Sequence, residues 1–289
     1  MPARSVTSPP RSRGDESDEF ARWAEHYLGA KSRHDVPELV ACFAPDCGYE
    51  DAVLSRCSTR AQLRLGLQQV LAQLPEGAGS SLVWAAGADS GGAVRFDNDA
   101  ALFGAAMPVL AVVELEDGLV VRQRDYWDGR VLGRGRLADL RRRFPPHAPA
   151  RPVAAARSHP RAGQLAALAE ALWPLAVETL RPMLAPEVVL RDLTTGLQLA
   201  GRDPVLARLR ATWGTVPYGA GASASAVVGG DGGGAVEWRA RADITVGGGA
   251  VGVRIVAGAI TELVWCWDAS RVRPTRVADI DAQLLRDAQ

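Results

Sequence analysis

The sequence predicts an α+β chain made of two tandem cone-shaped domains, each a curved antiparallel sheet wrapped over about three helices. Three observations lead there. Capped amphipathic segments open the chain at 17–29, 36–43 and 60–74. A run of turn-separated strands follows to residue 128. Paired motifs then recur later: Asp192 lies 141 residues after Asp51, and Trp267-Asp268 lies 140 residues after Trp127-Asp128. A near-constant offset across a whole unit is the mark of a duplicated fold.

Each element has a local cause. In 17–29, Phe20, Trp23, Ala24, Tyr27 and Leu28 fall on one helical stripe. Asp35 with Glu38 reads as a capping box, the Asp oxygen taking a free N–H and the Glu reaching back. Val36, Leu39, Val40 and Phe43 continue that helix, and Ala44-Pro45-Asp46 stops it. A strand follows at Gly48-Tyr49-Glu50-Asp51. Thr59 with Gln62 caps a third helix carrying Leu63, Leu67, Val70, Leu71 and Leu74 on one side. Strands are expected over 80–88, 93–103, 108–115 and 119–128, the last pair joined by the hairpin signal Glu116-Asp117-Gly118. Residues 130–144 read as a basic helix.

Residues 145–163 are rich in Pro, Ala and Arg and suit an extended linker. The predicted organisation is a disordered leader over 1–16, a first domain over 17–143, a linker over 144–162 and a second domain over 163–289 ending in a helix. In the second copy Asp203-Pro204 reads as a cap with a first-turn proline. Gly232-Gly233-Gly234, Gly247-Gly248-Gly249 and Ala257-Gly258 separate strands. Its first two helices read as shortened, and the region near Leu172 and Trp173 offers no tyrosine.

Composition narrows the function. Of 289 residues 47% are hydrophobic, enough for substantial cores, and 33 basic residues balance 33 acidic ones. No basic excess suggests nucleic acid as a partner. No apolar run approaches the ~20 residues that span a bilayer, and 1–16 lacks the apolar core of a secretory signal. A cytoplasmic location is expected. The four cysteines (Cys42, Cys47, Cys57, Cys266) and four histidines show no metal-ligand spacing, so neither metal nor cofactor is expected.

Arg33-His34-Asp35-Val36, Leu39-Val40-Ala41, Phe43-Ala44-Pro45-Asp46 and Tyr49-Glu50-Asp51 closely resemble the signature of nuclear transport factor 2-like proteins, particularly their SnoaL-like and ketosteroid-isomerase-like branches. The segment 118–128 resembles that family's closing strand. By that resemblance Asp51 is the proton-shuttling base. Tyr27, 24 residues upstream, is the oxyanion donor. The isomerases' second acid has no match, because Ala111 falls there. SnoaL-like polyketide cyclases place an acid near the end of the last strand, which Asp128 resembles, with Asp125 as its neighbour. Strand alternation lets only one of those two face a pocket.

Trp23, Tyr49, Asp97 and Trp127 are further pocket candidates in the first half. Asp192, Glu237, Trp265, Trp267 and Asp268 are their counterparts in the second, with Glu237 placed opposite Asp97 at an offset of 140. Two readings of different class follow. One is a cofactor-independent acid/base enzyme of natural-product biosynthesis that cyclises, isomerises or opens an epoxide in a hydrophobic polyketide-like molecule. Fused domains of this kind resemble polyether epoxide-opening cyclases. The other is a non-catalytic small-molecule-binding or scaffold protein. In either case the two domains are expected to pack as an internal pseudo-dimer.

Overall fold

A computed structural model describes residues 13–51, 56–57, 59–72, 74–75, 77–143, 163–241 and 247–272. The expected linker, the end of the leader and the expected C-terminal helix lie outside the described residues.

Helix α1 (Arg13–Ser32) begins inside the segment expected to be disordered. It ends where His34 takes a left-handed conformation (φ 56°) and the Asp35 N–H returns to Ala30 O at 3.0 Å. The same Asp35 then caps α2 (Val36–Ala41), its Oδ1 accepting the Glu38 N–H at 3.0 Å. The reciprocal half of the expected capping box is missing. Glu38 instead pairs with Arg33 at 2.6 Å. Phe43 was expected on this helix but starts β1 (Phe43–Asp51), and the strand runs through Pro45. Pairing is irregular between Phe43 and Gly48, as a residue without an N–H requires.

After β2 (Arg56–Cys57), Thr59 caps α3 (Arg60–Leu71) through the Gln62 N–H. Strand β3 (Ser80–Ala88) pairs with β4 (Gly91–Asn98). The expected single strand over 93–103 stops at Asn98, because Asp99 caps a short helix α4 (Ala100–Phe103) by accepting from Ala101 N at 2.8 Å. Strands β5 (Met107–Glu116) and β6 (Leu119–Tyr126) are joined by Asp117 and Gly118, both at positive φ as a type I′ turn demands. A 3₁₀ turn (Gly129–Leu132) and α5 (Gly133–Arg143) follow.

The second half repeats this order with α6 (Gly163–Leu172), α7 (Val177–Met183), β7 (Leu184–Asp192), β8 (Leu197–Ala200), α8 (Arg202–Thr212), β9 (Ser223–Gly230), β10 (Gly233–Arg239), β11 (Gly249–Val256) and β12 (Ala259–Trp267). Helix α6 is shorter than α1, at 10 residues against 20, but α7, at 7, is not shorter than α2, at 6. Gly201, not Asp203, sits at the start of α8, and Asp203 pairs with Arg181 at 2.6 Å.

The two open sheets have the same order, β2-β1-β6-β5-β4-β3 and β8-β7-β12-β11-β10-β9. The pairings β1–β6 and β7–β12 are parallel and the others antiparallel, so each sheet is mixed. One face of each sheet packs its own helices. The other faces meet, Trp84, Ala86, Ala93, Leu110, Val112 and Tyr126 against Val228, Ala235, Ala250, Val264 and Cys266.

Contacts across this seam are reciprocal. Asp268 Oδ1 accepts the Gly129 N–H at 3.1 Å while Asp128 Oδ1 accepts the Ala269 N–H at 3.3 Å. Glu237 receives Arg122 at 2.6 Å and the Tyr126 hydroxyl at 2.5 Å. Arg122 also binds Glu114 at 2.9 Å. Burial works against the Arg122 charge, but Glu237 and Glu114 outweigh it and hold the guanidinium charged.

Small residues let the sheets approach. A Cβ at Gly252 would lie 2.8 Å from Leu110 Cδ1 and 2.9 Å from Trp84. Gly252→Val is therefore expected to overpack the seam and lower unfolding free energy by about 1–3 kcal/mol. Urea denaturation of the full chain checks this, and an unchanged midpoint would contradict the packing described.

Candidate acid/base site

From Arg122 onward, past a register shift near Val120, strand β6 alternates. Gln123, Asp125 and Trp127 point toward the helices of the first half, whereas Arg122, Arg124 and Tyr126 point toward the other sheet. This parity selects Asp125 as the inward acid. Its Oδ2 accepts from the Tyr49 hydroxyl at 2.9 Å and its Oδ1 from Gln123 Nε2 at 2.8 Å. Gln123 Nε2 also donates to the Tyr27 oxygen at 3.1 Å, which leaves the Tyr27 proton for another acceptor. Gln123 Oε1 is buried without a hydrogen-bond partner.

Helix α1 contributes Tyr27 and, one turn on, Lys31. The ammonium donates to Asn98 Oδ1 at 3.0 Å and sits 4.3 Å above the Phe96 ring centroid. Asn98 is held in turn by Ser80 Oγ at 2.6 Å. Asp51 is the strand-pairing partner of Asp125 across β1 and β6, and its Oδ2 accepts from Trp127 Nε1 at 2.9 Å. Phe20, Trp23 and Tyr27 stack in series, with centroids 5.6 and 5.4 Å apart, and Phe43 bridges Tyr27 to Tyr49.

Burial dominates the electrostatics. It raises the Asp125 carboxyl above the usual range, against the opposing pull of Lys31, Gln123 and Tyr49. It lowers Lys31 to about 8 despite Asp125 and Asp51. Burial also raises Tyr27 and Tyr49, with Asp125 adding to both, so each phenol stays a neutral donor. A carboxyl able to take and return a proton beside neutral hydroxyls is the arrangement that general acid/base chemistry requires.

The second half keeps the strands and replaces the chemistry. Trp265 pairs with Val251 as Asp125 pairs with Ala111, and Leu263 pairs with Leu190 as Gln123 pairs with Tyr49. The carboxyl, the amide and the phenol thus become Trp265, Leu263 and Leu190. Trp173, Trp213, Tyr218, Trp238 and Trp265 pack edge to face or stacked, Tyr218 lying 4.1 Å from Trp265. Trp265 and Trp267 are core residues. Asp192 is tied up by Thr194 N, Thr195 N and Tyr218 OH at 2.9, 3.2 and 3.1 Å, with Trp267 Nε1 at 3.5 Å. The expectation that this half lacks a phenol is corrected, because Tyr218 arrives from the turn after α8.

Four sequence candidates lie away from the inward cluster. Asp128 caps the 3₁₀ turn through Arg130 N at 3.1 Å and Asp268 caps its counterpart through Ser270 N at 2.9 Å, both at the seam. Glu237 belongs to the seam network. Asp97 lies on the face opposite Phe96 and pairs with Arg95 at 2.7 Å. Nor do Asp97 and Glu237 correspond. Val236 pairs with Val251 as Val94 pairs with Ala111, which sets Glu237 opposite Arg95.

Sequence reasoning missed Lys31, Gln123 and Asn98. Lys31 could have been found from its spacing, four residues after Tyr27 on the same helix face. Gln123 sits two residues before Asp125 on a strand. Among the described residues no three His, Cys, Asp or Glu side chains are placed to hold a metal ion. No described helix is long and apolar enough to cross a membrane.

The chain matches no protein-family profile and no curated protein. Solved structures similar to it include an LEH-like epoxide hydrolase from M. tuberculosis, 19% identical over 43% of this chain and 92% of that one, with a TM-score of 0.35. A second is a hypothetical protein of ketosteroid isomerase-like fold from Catenulispora acidiphila, solved with trimethylamine, 18% identical over 36% of this chain and 83% of that one, TM-score 0.32. A third is an NTF-2 like protein of unknown function from Burkholderia xenovorans, 13% identical over 38% of this chain and 83% of that one, TM-score 0.33.

The Asp125 shift makes a pH signature. A carboxyl whose folded pKa is raised binds its proton more tightly in the folded state. Its contribution to stability is therefore full below the ordinary carboxylate range and is lost as pH rises through the raised value. Asp125→Asn should remove that decline, and urea unfolding of both proteins across this range tests it. Parallel curves would show that Asp125 is not desolvated.

Proposed function

We propose that the chain is an enzyme of two domains, 17–143 and 163–289, that moves protons on a hydrophobic small molecule held in the first. The observation that carries this reading is the inward Asp125 carboxyl, raised by burial and gripped by Tyr49 and Gln123. In this reading Asp125 removes a proton from carbon beside a carbonyl, or protonates an epoxide oxygen. Tyr27 donates its free proton to the oxygen where charge develops. Asp51 is the second carboxylate, set one strand away, and Trp23, Tyr49 and Trp127 wall the substrate. Cyclisation, isomerisation and epoxide opening all use these parts, and the sequence resemblance to polyketide cyclases supports a role in natural-product biosynthesis.

The second domain acts as a scaffold, its interior filled by the indoles that replace the acid and amide. The reciprocal Asp128 and Asp268 contacts support an internal pseudo-dimer, in which each domain presents the same face to the other.

Turnover of a β,γ-unsaturated cyclic ketone, followed by enone absorbance, and of styrene oxide, followed by diol formation, tests the reading with the full chain. Asp125→Asn should lower kcat by about 10²–10⁴-fold, the usual worth of a positioned base. Tyr27→Phe should cost about 10²-fold, as for one oxyanion donor. Asp192→Asn should leave the rate near wild type while lowering stability. Asp192→Asn abolishing turnover with Asp125→Asn active would move catalysis to the second half and overturn this reading.

A further inference from the structure

Asp125 and Tyr27 carry the chemistry proposed above, but the side chain that joins them has one end unused. Gln123 is buried, with 0% of its surface exposed. Its amide offers two N–H donors and one acceptor oxygen. Nε2 uses both donors, one on Asp125 Oδ1 at 2.8 Å and the other on the Tyr27 oxygen at 3.1 Å. Turning the amide over would press its oxygen against the carboxylate of an ionised Asp125, so Asp125 fixes which end faces it. Oε1 then has no hydrogen-bond partner among the described residues. A buried acceptor without a donor is the exception in a folded protein and calls for a reason. Two donors nearby are unmatched in the same way. Tyr27 keeps its own hydroxyl proton, because its oxygen accepts from Gln123. Trp23 Nε1, on a ring stacked 5.4 Å from Tyr27, is buried with no partner among the described residues. Trp23 touches Tyr27 and Tyr49 touches Asp125; the outer pair is half-buried and the inner pair buried, so the cluster reaches the surface.

We propose that the first half takes substrates bearing a hydroxyl on the carbon next to the reacting carbonyl or epoxide, and that Gln123 Oε1 is the group that reads it. The inference rests on the acid/base reading for its site and adds the substrate class. An α-hydroxy ketone presents an acceptor oxygen and a hydroxyl donor on neighbouring carbons. Its carbonyl oxygen accepts from Tyr27, and its hydroxyl donates to Oε1, the other end of the amide that touches Tyr27. A charged donor such as an ammonium suits the place less well, because the aromatic walls of Phe20, Trp23 and Phe43 offer a charge no hydration. A ketone without the hydroxyl leaves Oε1 unmatched. Sites built to bond a hydroxyl discriminate strongly against analogues that lack it.

Isothermal titration calorimetry of the full chain with 2-hydroxy-1-indanone and with 1-indanone tests this. The hydroxy ketone should bind about tenfold more tightly or better, the worth of one hydrogen bond to an acceptor otherwise left unpaired. Gln123→Met keeps the length of the side chain and removes the acceptor, and should bring the two affinities together. Tyr27→Phe should weaken both ketones and keep their ratio, because both present the carbonyl oxygen. A role confined to holding Asp125 and Tyr27 in place would move the two affinities in parallel and leave the ratio alone. Equal affinities in the unmodified chain, as a water resident on Oε1 would give, overturn the proposal. So does a preference that survives Gln123→Met, or no binding of either ketone. The turnover assays described above separate the two ideas. A hydroxyl preference lost in Gln123→Met, with no turnover of any ketone or epoxide, would sink the acid/base reading and leave the hydroxyl recognition standing. Turnover dependent on Asp125 with equal affinities for the two indanones would do the reverse.

Discussion

Strands β6 and β12 are buried on both faces, and that constraint organises the rest of the molecule. Little of either face meets water, so the polar side chains buried there must find partners inside the protein or carry a desolvation cost. On β6 the outward set of Arg122, Arg124 and Tyr126 finds Glu114, Glu50 and Glu237. The inward set of Gln123 and Asp125 finds Tyr27 and Tyr49. One strand therefore carries two separate polar networks, one at the seam and one in the candidate site, kept apart by the thickness of the sheet.

The seam network is weak evidence for stability by itself. Removing charges from water offsets most of what a buried ion pair gains, so Arg122, Glu237 and Glu114 do more to fix how the sheets register than to hold them together. Cohesion comes from Trp84, Leu110, Tyr126 and the small residues opposite them, which allow close contact over the seam. The charged groups then penalise sliding, because a shifted sheet would leave Glu237 facing apolar surface.

Much of the fold was legible because it is written locally. Asp35, Thr59, Asp117-Gly118 and Ala257-Gly258 act through backbone groups a few residues away, and the duplication showed as a constant offset. Asp99 was missed because the polar stretch Asp97-Asn98-Asp99 was read as part of one strand over 93–103. The site was less legible for a different reason. Asp125 draws Tyr49 from β1, Tyr27 and Lys31 from α1, and these partnerships are long-range. Alternation narrowed the choice between Asp125 and Asp128 without deciding it. Matching Asp97 to Glu237 failed because the offset is 142 on β3 and β4 and 140 on β5 and β6, a two-residue difference that only strand pairing reveals.

Comparing the halves also separates two acids that sequence alone ranked by resemblance. Asp51 receives Trp127 Nε1, and its counterpart Asp192 receives Trp267 Nε1 in a half where Trp265, Leu263 and Leu190 stand in place of Asp125, Gln123 and Tyr49. A bond present in both copies, including the one filled by indoles, belongs to what fastens the end of β1 to the chain leaving β6. Asp125 has no such double role, since its place in the second copy is taken by Trp265, the most enclosed indole of an aromatic cluster. At that one strand position the second copy gains packing, because a large aromatic adds buried contact where an acid would carry a desolvation cost. Asp125 is therefore the acid that the packing copy does without, and the one on which the proposed chemistry rests.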